Sequence, residues 1–229
     1  GYASNFGGNI YLSGSLEMLG GLIKDGKADA KNNSHNMFVN RGSKDYVFKI
    51  SGGEIVGNVN VYDGHEIVLS GSPKIVAGES RNLQLNVTAG TVINLDNLGA
   101  DAKISVSGNG LIAKNAKESD LGAFSFDKGF LETSGNETYE FIFDNGQIWA
   151  MKPWNDGNSL PKATGSYYLT KDVRLKDQWT PSDKTKIDID LNGNQVVSEK
   201  RVCGINNITT TVTIIDRKGT GSFKCSVDD

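Results

Sequence analysis

The 229-residue chain reads as an all-β protein, a parallel β-helix (solenoid), and three observations predict that class. First, one phrase returns along the chain: an apolar residue, Gly-Gly or Ser-Gly, then Ile. It stands as Met18-Leu19-Gly20-Gly21-Leu22-Ile23, as Ile50-Ser51-Gly52-Gly53-Glu54-Ile55, and as Leu69-Ser70-Gly71-Ser72-Pro73-Lys74-Ile75. A short strand, a tight glycine bend and another short strand, repeated, is how a solenoid coil is written. Second, the apolar residues fall in short runs with the period-2 alternation of half-buried strands. Third, no segment sustains a 3.6-residue period; residues 17–29 hold too many glycines for a stable helix.

The elements follow in order. Gly7-Gly8-Asn9-Ile10-Tyr11-Leu12 has a degenerate echo in Ser34-His35-Asn36-Met37-Phe38-Val39. Val47-Phe48-Lys49-Ile50, Asn58-Val59-Asn60-Val61 and Glu66-Ile67-Val68-Leu69 read as short strands. So do Leu83-Gln84-Leu85-Asn86-Val87, Val92-Ile93-Asn94-Leu95 and Lys103-Ile104-Ser105-Val106. Asn and Gly between them suit bends that need positive φ. Spacing between the glycine phrases is uneven, which solenoids tolerate because extra residues bulge out as loops.

Residues 1–150 are therefore expected to form one β-helical segment. Residues 151–165, with Pro153 and Trp154, read as an irregular, aromatic-bearing connector. Residues 166–229 open a second, truncated segment of the same type, with Asp172-Val173-Arg174-Leu175, Ile187-Asp188-Ile189-Asp190-Leu191 and Thr211-Val212-Thr213-Ile214-Ile215 as strands.

Composition narrows the function. Hydrophobic residues make up 37% by a count that omits the 28 glycines, so disorder is not indicated. Net charge is −3 and the 24 basic residues are scattered. A duplex-binding surface needs a concentrated basic stripe, so nucleic acid is not an expected partner. No apolar run reaches membrane-spanning length. A chain opening at Gly1 reads as a mature or excised piece of a longer protein.

Cys203 and Cys225 lie 22 residues apart, about one coil by the phrase spacing. Stacked strands sit about 4.8 Å apart, and disulfides join Cα atoms about 4.4–6.8 Å apart. The pair is either bridged across adjacent rungs or two reduced cysteines stacked in the core.

The Gly-Gly-Asn-Ile-Tyr opening, the Ser-Gly-Gly-Glu-Ile phrase and the closing Leu191-Asn192-Gly193-Asn194 with Val212 to Phe223 are together similar to β-helical segments of large secreted or wall-attached surface proteins of Gram-positive gut bacteria. The resemblance runs through most of the chain, departing at Ser34-His35 where Gly-Gly is usual. It implies a right-handed parallel β-helix, an extracellular place, and an adhesin-like role in display or binding. It implies no catalytic residue and no cofactor.

The residues themselves offer few sites. Asp188 and Asp190 share one face of a strand, and paired carboxylates serve glycoside hydrolysis; a solvated acidic wall is the plainer reading. Asp96 and Asp101 are too isolated to gather the roughly six oxygen ligands that Ca²⁺ takes. His35 and His65 sit in turn-like text, outside any metal or triad spacing. Trp149, Trp154 and Trp179, with Tyr167 and Tyr168, are candidate sugar-stacking or protein-anchoring rings, or else plugs filling a hole between coils. Asn32, Asn86, Asn136 and Asn207 match the N-glycosylation pattern by chance.

The expected function is a non-enzymatic extracellular binding or adhesion module, secreted or attached to the bacterial surface. It would show a long solenoid face to a host or dietary polysaccharide or a host glycoprotein. A β-helical polysaccharide lyase or glycoside hydrolase is one alternative, and a passive stalk is another. Bare solenoid ends are also expected to self-associate.

Overall fold

The computed structural model describes residues 2–3, 8–24, 26–28, 37–39, 47–57, 59–61, 66–76, 92–127, 130–131, 138–205 and 209–225. His35, His65, the run Leu83–Val87 and the four glycosylation-like asparagines lie outside the described residues. The chain is a parallel β-solenoid with almost no helix, and it divides into two compact units.

The first unit comprises Gly1–Glu137 and Phe141–Trp149. One of its faces stacks Leu16–Met18, Val47–Ile50, Glu66–Gly71, Ile93–Leu98 and Gly110–Lys114 in sequence order. A second face stacks Leu22–Ile23, Glu54–Val56, Lys74–Val76, Lys103–Val106 and Phe124–Phe126. A third stacks Ile10–Leu12, Met37–Val39 and Val59–Val61. The pairings are parallel and keep like residues in register: Met18, Ile50, Leu69 and Leu95 form one column. Ile23, Ile55, Ile75, Ile104 and Phe124 form another. Ile55, Ile75 and Ile104 are fully buried. Each such side chain contributes about 1.5–3 kcal/mol relative to exposure, so the alternating pattern alone orients these strands.

The recurring glycine phrases stack at a single corner between the first two faces. Ser51 N–H donates to the Met18 carbonyl at 2.9 Å, Glu54 N–H to Gly21 at 2.9 Å, and Lys74 N–H to Gly53 at 3.0 Å. Backbone approaches backbone so closely there that a Cβ on Gly53 would lie 2.7 Å from the Gly21 carbonyl oxygen. The Ile of each phrase then enters the buried column on the next face.

The second unit comprises Thr138–Glu140 and Ala150–Asp229. Its first face runs from the end of strand Gln147–Trp154 through Gly165–Leu169 and Lys186–Asp190 to Thr211–Ile215. Val173–Leu175, Gln195–Ser198 and Ser222–Cys225 form the second face. A parallel bridge between Trp179 and Cys203 marks the third. Inside lie Leu160, Tyr167, Leu169, Val173, Leu175, Trp179, Ile187, Ile189, Leu191 and Val196.

Within 151–165, residues 151–154 are the end of the strand Gln147–Trp154, while residues 155–164 hold no strand and are tied to the following turn by backbone bonds. Arg174 N–H donates to the Gly157 carbonyl at 2.8 Å and Ser182 N–H to Lys162 at 3.1 Å. Leu160 is buried beneath the next turn.

The cysteines are not bridged: both are free thiols. Cys203 stands opposite Trp179 on the third face, whereas Cys225 stands opposite Ser198 on the second. Gln195 pairs with Ser222, 27 positions on, so a 22-residue spacing falls short of one turn here. The Cys225 thiol instead donates to the Lys200 carbonyl at 3.1 Å, and burial pushes the Cys203 thiol up from its ordinary pKa.

Candidate functional site

Asp188 and Asp190 alternate with Ile187 and Ile189 on one strand, and the isoleucines are in the core. The carboxylates therefore stand on the outer side, as alternation requires. They are not solvated, however: Asp188 is 7% exposed and Asp190 0%. Ser166, one rung earlier and in register, donates its hydroxyl to Asp188 Oδ2 at 2.8 Å.

Asp190 closes a corner. Its Oδ1 accepts from Asn192 N–H at 2.8 Å and Arg217 N–H at 3.2 Å, while Oδ2 meets the Arg217 guanidinium. The same guanidinium reaches Asn192 Oδ1 at 3.4 Å. A buried carboxylate is tolerable only when its lone pairs are filled in this way. Neither the resemblance nor the spacing pointed to Arg217, which lies 27 positions beyond Asp190 and reads as part of a turn. The signal was available: Asp190-Leu-Asn-Gly-Asn and Asp216-Arg-Lys-Gly-Thr-Gly are successive corners of one stack.

A glycosidase pair needs one carboxyl to protonate the leaving oxygen and another to reach water or the anomeric carbon. Asp190 has no surface with which to touch either. Among the described residues no group of three or more His, Cys, Asp or Glu side chains could hold a metal ion.

Of the five aromatic candidates, Trp149, Tyr167 and Trp179 are buried and Trp154 and Tyr168 half-buried. Trp179 is 2% exposed, and its indole N–H donates to the Pro161 carbonyl at 3.0 Å. Tyr167 is buried with its hydroxyl on the Ala163 carbonyl at 3.2 Å, under the Lys152 ammonium 4.7 Å from the ring centroid. Trp154 meets Tyr167 edge-on at 5.6 Å and donates to the Ser159 carbonyl at 2.8 Å. Trp149 is buried, its N–H on Gln147 Oε1 at 3.2 Å. Tyr168 is half-buried and donates to Glu140 Oε2 at 3.0 Å; burial, then that carboxylate, raises its hydroxyl pKa. Trp149, Tyr167 and Trp179, buried as they are, have no ring face left for a sugar.

What the outer faces do carry is charge, column by column. On the first unit Lys49 Nζ lies 3.3 Å from Glu17, and Asn94 donates to Glu66 at 2.6 Å. Glu54, Lys74 and Lys103 follow one another in register. Single exposed pairs of this kind contribute little to stability, about 0–1 kcal/mol. Their consequence is a polar, patterned wall.

Corner aspartates of the second unit are tuned to stay ionised. The Ser159 hydroxyl and the Asn158 N–H hold Asp156 below its ordinary value, and Lys200, at 2.5 Å, does so for Asp177. Desolvation pushes Asp216 up, but the N–H groups of Gly193, Gly221 and Lys218 and the Arg217 cation outweigh it. A folded-state pKa below the unfolded one contributes stability that is present above the unfolded value of about 3.9 and is lost as pH falls through the folded value. The tryptophan-fluorescence melting midpoint is therefore expected to hold steady from pH 7 to about 5 and to drop below about pH 4. A midpoint that rises on acidification contradicts this assignment.

Comparison with known protein families, with curated proteins and with solved structures finds no match to the chain.

Proposed function

We propose that the chain is a non-enzymatic interaction module of the bacterial cell exterior, a stiff solenoid that meets a host glycoprotein through its flat, charged outer faces. The observation that carries this reading is where the chemistry lies. Asp190, Trp149, Tyr167 and Trp179 are buried, whereas Glu17, Lys49, Glu54, Lys74 and Lys103 line outer columns. A partner is then recognised by charge and shape over several rungs. That suits the protein part of a glycoprotein better than its sugars, which want an exposed ring. Affinity per module is modest, and repetition on one cell supplies avidity.

The test is capture by the tagged chain from intestinal mucus and serum, with glycans intact and after their enzymatic removal. Capture that survives deglycosylation and falls in a Lys74→Glu, Lys103→Glu variant supports the proposal. Capture lost on deglycosylation supports a lectin, and none at all leaves a passive stalk. Cleavage of an acidic polysaccharide, abolished by Asp188→Asn, would replace all three with an enzyme.

A further inference from the structure

The chain holds three Asn-Gly dipeptides: Asn109-Gly110, Asn145-Gly146 and Asn192-Gly193. That sequence carries a reaction of its own. The glycine amide nitrogen attacks the side-chain carbonyl carbon of the asparagine before it, closing a five-membered succinimide and expelling ammonia. Glycine permits this because no side chain blocks the approach. Water then opens the ring, giving aspartate or, when it adds at the other carbonyl, isoaspartate, in which the backbone runs through the former side chain. To reach the carbon, the peptide unit joining the two residues must turn away from its native angle. Bonds that hold the pair in place therefore slow the step, because it waits on local opening.

Two of the three pairs are held. Gly193 N–H, the attacking group of the third pair, donates to Asp216 Oδ1 at 2.7 Å. Asn192 donates its backbone N–H to Asp190 Oδ1 at 2.8 Å and its side-chain amide to the Leu169 carbonyl at 3.0 Å, while its Oδ1 accepts from Arg217 at 3.4 Å. Turning that peptide breaks a corner of the stack. Gly110 is buried at the head of the strand Gly110–Lys114, so the nitrogen behind Asn109 is fixed by the sheet.

Asn145-Gly146 is built differently. The pair forms the two-residue turn between Glu140–Asp144 and Gln147–Trp154, and Asn145 is exposed. Among the described residues neither the Asn145 side chain nor the Gly146 N–H makes a hydrogen bond. The Gly146 carbonyl accepts from Ala116 N–H at 2.9 Å, but it lies outside the peptide unit that turns. A Cβ on Gly146 would come no closer than 3.8 Å to its nearest neighbour, the Ala116 carbonyl oxygen, so the tip is also uncrowded.

We propose that Asn145 is a self-acting modification site, at which the folded protein exchanges an amide for a carboxylate with time while Asn109 and Asn192 are preserved. The product sets a second negative charge beside Asp144. Its isoaspartyl form also adds a backbone methylene, which a two-residue turn has no room for.

The test is incubation of the folded 229-residue chain at mildly alkaline pH in heavy-oxygen water, followed by peptide mass mapping and isoaspartate-specific methyl labelling. Asn145 is expected to convert at least about tenfold faster than Asn109 or Asn192, whose bonds must open first. Label should enter the peptide carrying residue 145, and Asn145→Gln, which would have to close a larger ring, should abolish it. In urea the three rates should draw together, since only the shared dipeptide then governs them. Conversion of Asn109 or Asn192 as fast as Asn145 in the folded chain overturns the proposal. So does an Asn145 that stays intact while folded and converts only in urea, which would mean that the turn is locked as well.

Discussion

Gly71→Val is expected to cost the first unit at least about 4 kcal/mol, combining backbone strain with overpacking. Gly71 has φ +58°, a conformation that β-branched residues all but exclude. A Cβ there would also overlap the Ser51 carbonyl oxygen of the preceding rung. The rung cannot step aside, because Ser51 N–H is tied to Met18 at 2.9 Å below and Gly99 N–H is tied to Gly71 at 2.6 Å above. Domains of this size hold only about 5–15 kcal/mol in total, so the loss is a large share of what keeps the unit folded. Gly14→Ala is the control, since nothing lies within 4 Å of a Cβ there; it should cost under about 1 kcal/mol. Urea unfolding of the two variants beside the parent reads the difference, and equal midpoints would refute the corner.

Trp179→Ala is expected to destabilise the second unit by about 3–5 kcal/mol, the range for deleting a buried aromatic. Trp179 bridges to Cys203 on the third face and belongs to the core cluster, so its removal leaves a cavity and orphans the Pro161 carbonyl. Trp179→Phe refills most of the volume but not the hydrogen bond, and should recover more than half of the loss. If Trp179→Ala instead melts like the parent chain while losing a ligand, the ring is a binding residue and its packing role is wrong.

The fold was legible because its logic is local. Met18, Ile50 and Leu69, each followed by glycine two positions on, announce a strand, a bend and a return. Ile55, Ile75 and Ile104 then fall into one buried column, although the bend before Ile104 is longer than those before Ile55 and Ile75. The sites were less legible, for a physical reason. Whether Trp179 faces solvent or core, or whether Cys225 lies over Cys203, depends on the length of each turn. That length is set by corner hydrogen bonds such as Asp216 to Gly193 at 2.7 Å and to Gly221 at 2.6 Å. Asp190 and Arg217 show the same gap: each residue reads as a surface charge until the corner brings them together. The Asn145-Gly146 turn, both residues at positive φ (45° and 75°), joins Glu140–Asp144 to Gln147–Trp154, a hairpin that the solenoid reading passed over although Asn-Gly is its usual signal.

In the second unit, register partners on the first face are 22 positions apart between Gly165 and Ile187 but 25 between Lys186 and Thr211. The corner after Asp190 takes four residues and the one after Ile215 takes six, yet both deliver the next strand in register. Length is thus absorbed outside the ladders, at exposed positions such as Lys218, Gly219 and Thr220. A scaffold built this way can carry passenger sequence. New surface chemistry can be spliced into a bend while the stack beneath it goes on counting in the same columns, so the surface can change faster than what holds it up.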